Sequence, residues 1–159
     1  MILDRFRLDD RVAIVTGAGL GIGRGIAIGL AEAGADVVLA ARTASDLEEV
    51  AFRVREAGRR ALVVPTDVTV EADLERLVET TVERFGRLDS VVNNAGGAMP
   101  RAALDTSEGF LERTFHFNVT APFTLTKLAA RAMVDTVGHG AVVNISSRSA
   151  SMTQTGFVA

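Results

Sequence analysis

The sequence contains no cysteine, no tryptophan and no tyrosine, and Lys127 is its only lysine. Without cysteine, disulfide bonds and thiolate metal sites are excluded, which is typical of a protein of the reducing cytosol. No apolar run approaches the ~18 residues that cross a bilayer, and the charged start MILDRFRLDD does not resemble a secretory signal. We therefore expect a cytoplasmic protein with no membrane span and no metal site.

The charge is close to balanced, with 17 basic and 20 acidic side chains and a net charge of −3. This balance gives no global attraction to nucleic acid or to anionic lipid, so neither is an expected partner. A chain of 159 residues, 48% of them hydrophobic, is long enough for one domain with a substantial core. We interpret residues 1–159 as a single domain.

Short β-branched runs alternate with longer amphipathic segments along the chain. The predicted strands cover 12–16, 36–41, 61–65, 88–93 and 141–146, and the predicted helices cover 22–33, 45–57, 70–85 and 107–136. A glycine follows each predicted helix, where a left-handed cap is needed. The strands are apolar nearly throughout, which favours an α/β fold with a parallel sheet and helices on both faces.

The first strand runs directly into TGAGLGIG, from Thr16 to Gly23. Glycines at this point permit a tight turn and bring N–H groups close to a pyrophosphate. The spacing departs from GxGxxG and fits GxxxGxG; a tight turn without a ligand is the alternative. After the first strand of an alternating pattern, the loop indicates a dinucleotide site in a Rossmann-type doubly wound sheet. The residues expected to contact the cofactor here are Gly17, Gly19, Leu20, Gly21, Ile22 and Gly23.

The end of the second predicted strand discriminates between nicotinamide cofactors. An NAD site usually carries an acid there, which accepts a hydrogen bond from the ribose 2′-hydroxyl. In LAARTAS this position holds Ala41 and then Arg42, with no acid before Asp46. A guanidinium suits a 2′-phosphate, although an ordinary solvated charge at a strand end is the alternative interpretation. The sequence favours NADP(H), with NAD(H) as the second choice.

Three further motifs follow later strands: TDV at 66–68, NNAGG at 93–97 and NISS at 144–147. Together with TGxxxGxG they resemble the short-chain dehydrogenase/reductase family, in order from about Arg11 to Ala159. The resemblance implies an oxidoreductase that transfers a hydride between NADP(H) and a secondary alcohol or ketone, such as a 3-oxoacyl thioester or a hydroxysteroid. It also implies a homo-oligomer, a dimer or a tetramer, formed through the apolar helix at 121–134.

The resemblance also assigns roles to cofactor-binding residues. Asp67 matches the acid that accepts from the adenine amino group, and Val68 matches the residue that flanks the ring. A helix N-cap is the other interpretation of Asp67. Asn94, Ala95 and Gly96 match the turn that borders the cofactor ribose, with a plain turn as the alternative.

Two residues match catalytic positions of the family. Asn118 matches the asparagine that holds a water for proton relay; a buried structural asparagine is the alternative. Ser147 matches the serine that hydrogen-bonds the substrate oxygen. Only the alternation of side chains along a strand favours it over Ser146.

The family's catalytic tyrosine and lysine have no counterpart in the sequence, since the tyrosine would fall one residue after Ala159. Neither histidine is a convincing substitute: His116 projects from a different helix face than Asn118, and His139 lies in a GHG turn. We expect the C-terminal strands and the tyrosine–lysine helix to lie outside this chain, which alone would be inactive. The alternative is a complete chain that serves as an inactive nucleotide-binding or assembly module.

Overall fold

The computed structural model describes residues 2–148, so the tail at 149–159, which approaches the expected tyrosine, lies outside the described residues. Within them, the strands form one parallel sheet in the order β3-β2-β1-β4-β5. The strands are β1 (Val12–Thr16), β2 (Asp36–Ala41), β3 (Ala61–Pro65), β4 (Ser90–Asn93) and β5 (Ala141–Asn144). The strand order reverses between β1 and β4, which creates the crevice where ligands of such sheets bind.

Helices connect the strands and cover both faces of the sheet. They are α1 (Gly21–Glu32), α2 (Ala44–Glu56), α3 (Glu71–Phe85), α4 (Glu108–Phe115) and α5 (Ala121–Val137), with short 3-10 turns at Ile2–Phe6 and Ala103–Asp105. α3 and α5 pack on one face of the sheet, and α1 and α2 pack on the other. The predicted doubly wound α/β fold is therefore confirmed.

The core divides into two layers because successive strand residues point to opposite faces. In β1, Ile14 contacts the α3–α5 layer and Val15 contacts the α1–α2 layer, and both are fully buried. Burying each such side chain contributes about 1.5–3 kcal/mol relative to leaving it exposed. Alternation of this kind fixes the orientation of the sheet, and with it the edge at which the strands end.

The amino ends of β2 and β4 are held by two buried carboxylates. Asp89 accepts hydrogen bonds from the Val12 main-chain N–H at 2.9 Å and from Arg11 and Arg87 at 2.9 and 2.6 Å. Asp36 is held in the same way by the main-chain and side-chain N–H groups of Arg60, each at 2.8 Å. Asp36 and Asp89 lie at the amino ends of the strands, whereas the sequence motifs follow their carboxyl ends. The two carboxylates therefore stabilise the fold and lie away from the motifs.

The predicted helix at 107–136 is wrong in one respect. The structure breaks it with a π-helical turn, His116–Thr120, between α4 and α5. Pro122 supplies the physical reason, because an α-helix needs the N–H of residue 122 to bond the carbonyl of Asn118, and proline has none.

Other boundaries differ by small shifts. β4 begins at Ser90 rather than at 88. Before it, Leu88 is buried in the core, and the Asp89 carboxylate is paired with Arg11 and Arg87. β5 ends at Asn144 rather than at 146. The four glycines that follow the predicted helices all have positive φ, as expected; they are Gly34, Gly58, Gly86 and Gly138.

Candidate cofactor and active site

A cleft of about 760 Å³ lies at the carboxyl ends of the strands, beside the switch point between β1 and β4. It is walled by the glycine loop, the end of β2, the segments after β3 and β4, and α4 with the π turn. The predicted cofactor residues that line it are Gly17, Gly19, Leu20, Arg42, Asp67, Val68, Asn94, Ala95 and Gly96. The remaining predicted residues, Gly21, Ile22, Gly23, Asn118 and Ser147, lie outside its lining.

The glycine loop turns the chain from β1 into α1. Gly17 has φ +64°, a left-handed conformation that side chains strongly disfavour. A Cβ on Gly23 would collide with the Gly17 carbonyl oxygen and the Asn94 amide, so the helix packs against the loop only if this residue is glycine. Among the described residues, no side chain caps the N-terminus of α1 at Leu20. The end of the helix therefore suits a negatively charged group.

A buried hydroxyl joins the glycine loop to the turn after β4. Thr16 Oγ1 accepts hydrogen bonds from the main-chain N–H groups of Asn94 and Ala95, both at 3.0 Å, and donates to the Val92 carbonyl at 3.3 Å. The Asn94 side-chain amide donates to the carbonyls of Thr16 and Gly17 at 2.9 and 3.3 Å. Two walls of the cleft are thus held at a fixed separation. Sequence reasoning missed Thr16, although a polar residue at the buried end of β1 was a usable signal.

Asp67 sits in a turn before α3 and does not cap that helix. Its Oδ1 accepts from the Thr69 hydroxyl at 2.6 Å and from the Thr69 main-chain N–H at 2.9 Å. These hydrogen bonds, together with the charge of Arg42, lower the pKa of the Asp67 carboxyl, which is therefore ionised at neutral pH. The N-cap interpretation is wrong because α3 begins at Glu71 with Val70 at its cap position.

The π turn braces the cleft from the α4 side. Asn118 Oδ1 accepts from the Gly97 N–H at 2.8 Å, and its Nδ2 donates to the carbonyls of Gly97 and Thr114 at 3.0 and 2.8 Å. Asn118 is exposed in the described part of the chain, and all three of its side-chain hydrogen bonds are to main-chain groups. His116 Nε2 lies 3.1 Å from the Thr69 carbonyl oxygen, on a different side of the turn.

The strands that carry NNAGG and NISS are tied together at their carboxyl ends. Asn93 Nδ2 donates to Asn144 Oδ1 at 2.8 Å and to Thr126 Oγ1 at 3.1 Å, and the Ile145 N–H donates to the Asn93 carbonyl at 2.9 Å. Ser147 follows this point on an exposed segment. Because β5 ends before both serines, alternation along a strand does not decide between Ser146 and Ser147.

The family model for short chain dehydrogenases matches residues 11–159. The chain belongs to the short-chain dehydrogenase family. An uncharacterised oxidoreductase of Mycobacterium tuberculosis is 47% identical over 159 residues, covering 100% of this chain and 60% of the relative. The 7alpha-hydroxysteroid dehydrogenase of Escherichia coli K12 is 37% identical over 147 residues, covering 92% of this chain and 57% of the enzyme.

Solved structures agree with this family membership. A 7alpha-hydroxysteroid dehydrogenase complexed with NADH and 7-oxo glycochenodeoxycholic acid superposes with a TM-score of 0.92 at 35% identity, over 96% of this chain and 59% of that one. A short-chain type dehydrogenase/reductase from Mycobacterium marinum gives 0.93 at 35% identity, over 97% and 62%. The chain thus spans about three fifths of the length of the relatives and structures it matches.

This short-chain dehydrogenase cleft also contains residues that were not predicted to belong to the site. Asp46, Arg113 and His116 line it, and they come from α2, α4 and the π turn. Within residues 2–148 no group of three or more His, Asp or Glu side chains is arranged to hold a metal ion. In the same range no helix is long and apolar enough to cross a membrane.

Proposed function

We propose that the protein containing this chain is an NADP(H)-dependent oxidoreductase acting on a secondary alcohol or ketone. The observation that carries the proposal is that the glycine loop, Arg42, Asp67 and the Asn94 turn all line one cleft. When bound, the nicotinamide supplies or accepts the hydride. The chain's own residues bind that cofactor, orient the substrate oxygen and support movement of a proton.

The residues present fit such a cofactor. The uncapped N-terminus of α1 at Leu20, which lines the cleft, complements a pyrophosphate. The ionised Asp67 carboxylate is suited to accept from the adenine amino group, beside Val68. Arg42 follows β2 directly and is exposed at the cleft, where its fork of donors suits a 2′-phosphate.

For the proton relay we propose the main-chain carbonyl of Asn118. The side chain is engaged with Gly97 and Thr114 through three hydrogen bonds, so it acts as a brace. The carbonyl loses its α-helical donor at Pro122 and can accept from a water. Ser147 orients the substrate oxygen in this proposal, and the family's tyrosine and lysine, absent from the sequence given, complete the acid–base chemistry.

The substrate class and the assembly state are part of the same proposal. Relatives named as hydroxysteroid dehydrogenases favour a hydroxysteroid over a 3-oxoacyl thioester. α5 presents an apolar outer face, with Phe123 68% and Val134 63% exposed, which suits a dimer or tetramer interface. We propose a cytoplasmic location from the composition alone.

The test is NADPH consumption by the full-length protein with a panel of keto-steroids, 3-oxoacyl thioesters and small ketones. Ser147→Ala should lower kcat/KM at least about a hundredfold with the NADPH dissociation constant unchanged, because it removes a contact to the reacting oxygen. Ser45→Ala, which changes an exposed serine of α2 outside the cleft lining, is the control and should retain activity. Tight NADPH binding with no turnover of any compound would instead support an inactive nucleotide-binding module.

A further inference from the structure

Asp46 lies against the glycine loop. It belongs to the first turn of α2, and it lines the same cleft as Arg42. A Cβ built on Gly19 would stand 2.9 Å from the Asp46 Cβ and 3.8 Å from its Oδ2. The carboxyl group is therefore brought to the loop that holds the phosphate-bearing part of a dinucleotide.

This contact explains why residue 19 is glycine. Gly19 is not among the glycines whose φ lies in the left-handed region, so its backbone alone does not require glycine. The close approach of Asp46 does, because a side chain at position 19 would push the acid out of the cleft wall. Gly19 and the Asp46 side chain therefore pack directly against each other.

We propose that Asp46 is a specificity-determining residue whose carboxylate opposes the cofactor 2′-phosphate that Arg42 attracts. The inference rests on the proposed function and deepens it. The end of β2 carries no acid, but Asp46 in the first turn of α2 places a carboxyl group in the lining of the same cleft. Such a carboxylate accepts from a ribose 2′-hydroxyl and repels a phosphate, so NAD(H) remains usable beside NADP(H).

The charges around Arg42 favour this role. The positive charge of Arg42 also acts on Asp67, where it helps to lower the pKa of the carboxyl group. Arg42, Asp46 and Asp67 all line the cleft, and one basic and two acidic side chains have a formal net charge of −1. A 2′-phosphate adds between one and two negative charges at neutral pH. Without the Asp46 charge, the formal charges of Arg42 and Asp67 cancel.

Two adenosine ligands isolate the effect of the phosphate. Adenosine 2′,5′-bisphosphate and adenosine 5′-monophosphate differ only at the 2′ position, and titration calorimetry of the full-length protein gives both dissociation constants. Asp46→Asn should tighten the bisphosphate about three- to tenfold at low salt and leave the monophosphate unchanged or weaker. The gain should shrink above ~0.5 M salt because screening weakens exposed charges.

Glu48→Gln is the matched control. It removes the same charge from the same helix, but Glu48 is exposed, stands 3.6 Å from Arg55 and does not line the cleft. Both dissociation constants should stay within about twofold of the parent. Asp46→Ser provides a second variant in case the asparagine perturbs the fold, and it should shift the ratio of the two constants in the same direction.

The same titrations in an Arg42→Ala background separate the proposed role of Asp46 from the NADP(H) assignment that rests on Arg42. If Asp46 acts on the phosphate directly, Asp46→Asn tightens the bisphosphate by a similar factor with and without Arg42. Loss of the gain in that background, or an unchanged ratio in the single variant, overturns the Asp46 role. The NADP(H) assignment fails separately, if Arg42→Ala weakens both ligands equally.

Discussion

Thr16 and Asn94, which are 78 positions apart in the chain, are joined by two hydrogen bonds. The Asn94 N–H donates to Thr16 Oγ1 at 3.0 Å, and the Asn94 side-chain amide donates to the Thr16 carbonyl at 2.9 Å. The glycine loop and the turn after β4 therefore form one rigid unit. In the proposed function this cleft holds an extended dinucleotide, and a fixed separation of its walls favours that binding.

Thr16→Val tests the buried hydroxyl at nearly constant volume. The change leaves the N–H groups of Asn94 and Ala95 without their acceptor, so we expect a loss of about 1–3 kcal/mol in the free energy of unfolding. Urea denaturation of the full-length protein measures it. Thr16→Ser keeps the hydroxyl and should lose less than about half as much. Equal losses for both variants would show that the methyl group, not the hydroxyl, matters.

Pro122→Ala tests the origin of the π turn. Alanine restores an N–H that can bond the Asn118 carbonyl, so the unfolding free energy should rise by up to about 1 kcal/mol. In the same variant kcat should fall about tenfold, since the carbonyl no longer accepts from a relay water. Pro100→Ala, which lies outside the helices, is the control. A Pro122→Ala variant with unchanged kcat would contradict the relay role of that carbonyl.

Arg42→Ala tests the cofactor assignment. Removing the guanidinium should weaken NADPH binding about ten- to a hundredfold and NADH binding less than about threefold, because only NADPH carries the 2′-phosphate. Fluorescence titration of the full-length protein with each cofactor gives the two dissociation constants. Arg55→Ala, on the far side of α2, should change neither.

Stability should decline in acid through Asp36 and Asp89. Burial acts to raise the pKa of the Asp89 carboxyl, but the hydrogen bonds from Arg87, Val12 and Arg11 outweigh burial and lower it. A lowered folded-state pKa means that the stabilisation is present above the unfolded value of about 3.9 and is lost as the pH falls through the folded one. Urea midpoints measured between neutral pH and pH ~2.5 should show this decline.

Asp89→Asn isolates one of the two carboxylates. We expect a loss of about 3 kcal/mol at pH 7, since Arg11 and Arg87 lose their partner, and a flatter acid profile. Asp135→Asn on the exposed side of α5 is the control and should retain the parent profile. An Asp89→Asn profile as steep as that of the parent would assign the acid transition to other groups.

Local patterns predicted most of the fold. β1, β2 and β3 agree with their predicted ranges, and a glycine with positive φ follows α1, α2, α3 and α5, because apolar runs and left-handed caps are local properties. The break in the last helix was missed, although Pro122 signalled it. Asp89 and Asp36 were missed as well, since their partners come from distant parts of the chain.

The site was only partly predictable for the same reason. Gly17, Gly19, Leu20 and Asp67 line the cleft as expected, because their motifs follow predicted strands. Asp46 and Thr16 matter through contacts with the glycine loop and the Asn94 turn, and no spacing in the sequence reveals those contacts. The role of Asn118 stays a prediction from its motif, and its three side-chain hydrogen bonds start from a π turn that the sequence did not predict.

The most direct test of the account follows one hydride. The full-length protein is given NADPH that carries deuterium at both positions of the nicotinamide C4, together with a keto-steroid, and the product alcohol is analysed by mass spectrometry. The account predicts one deuterium on the new carbinol carbon, in amounts equal to the NADPH consumed. NADPH that is bound but not consumed, or an alcohol without deuterium, would contradict it.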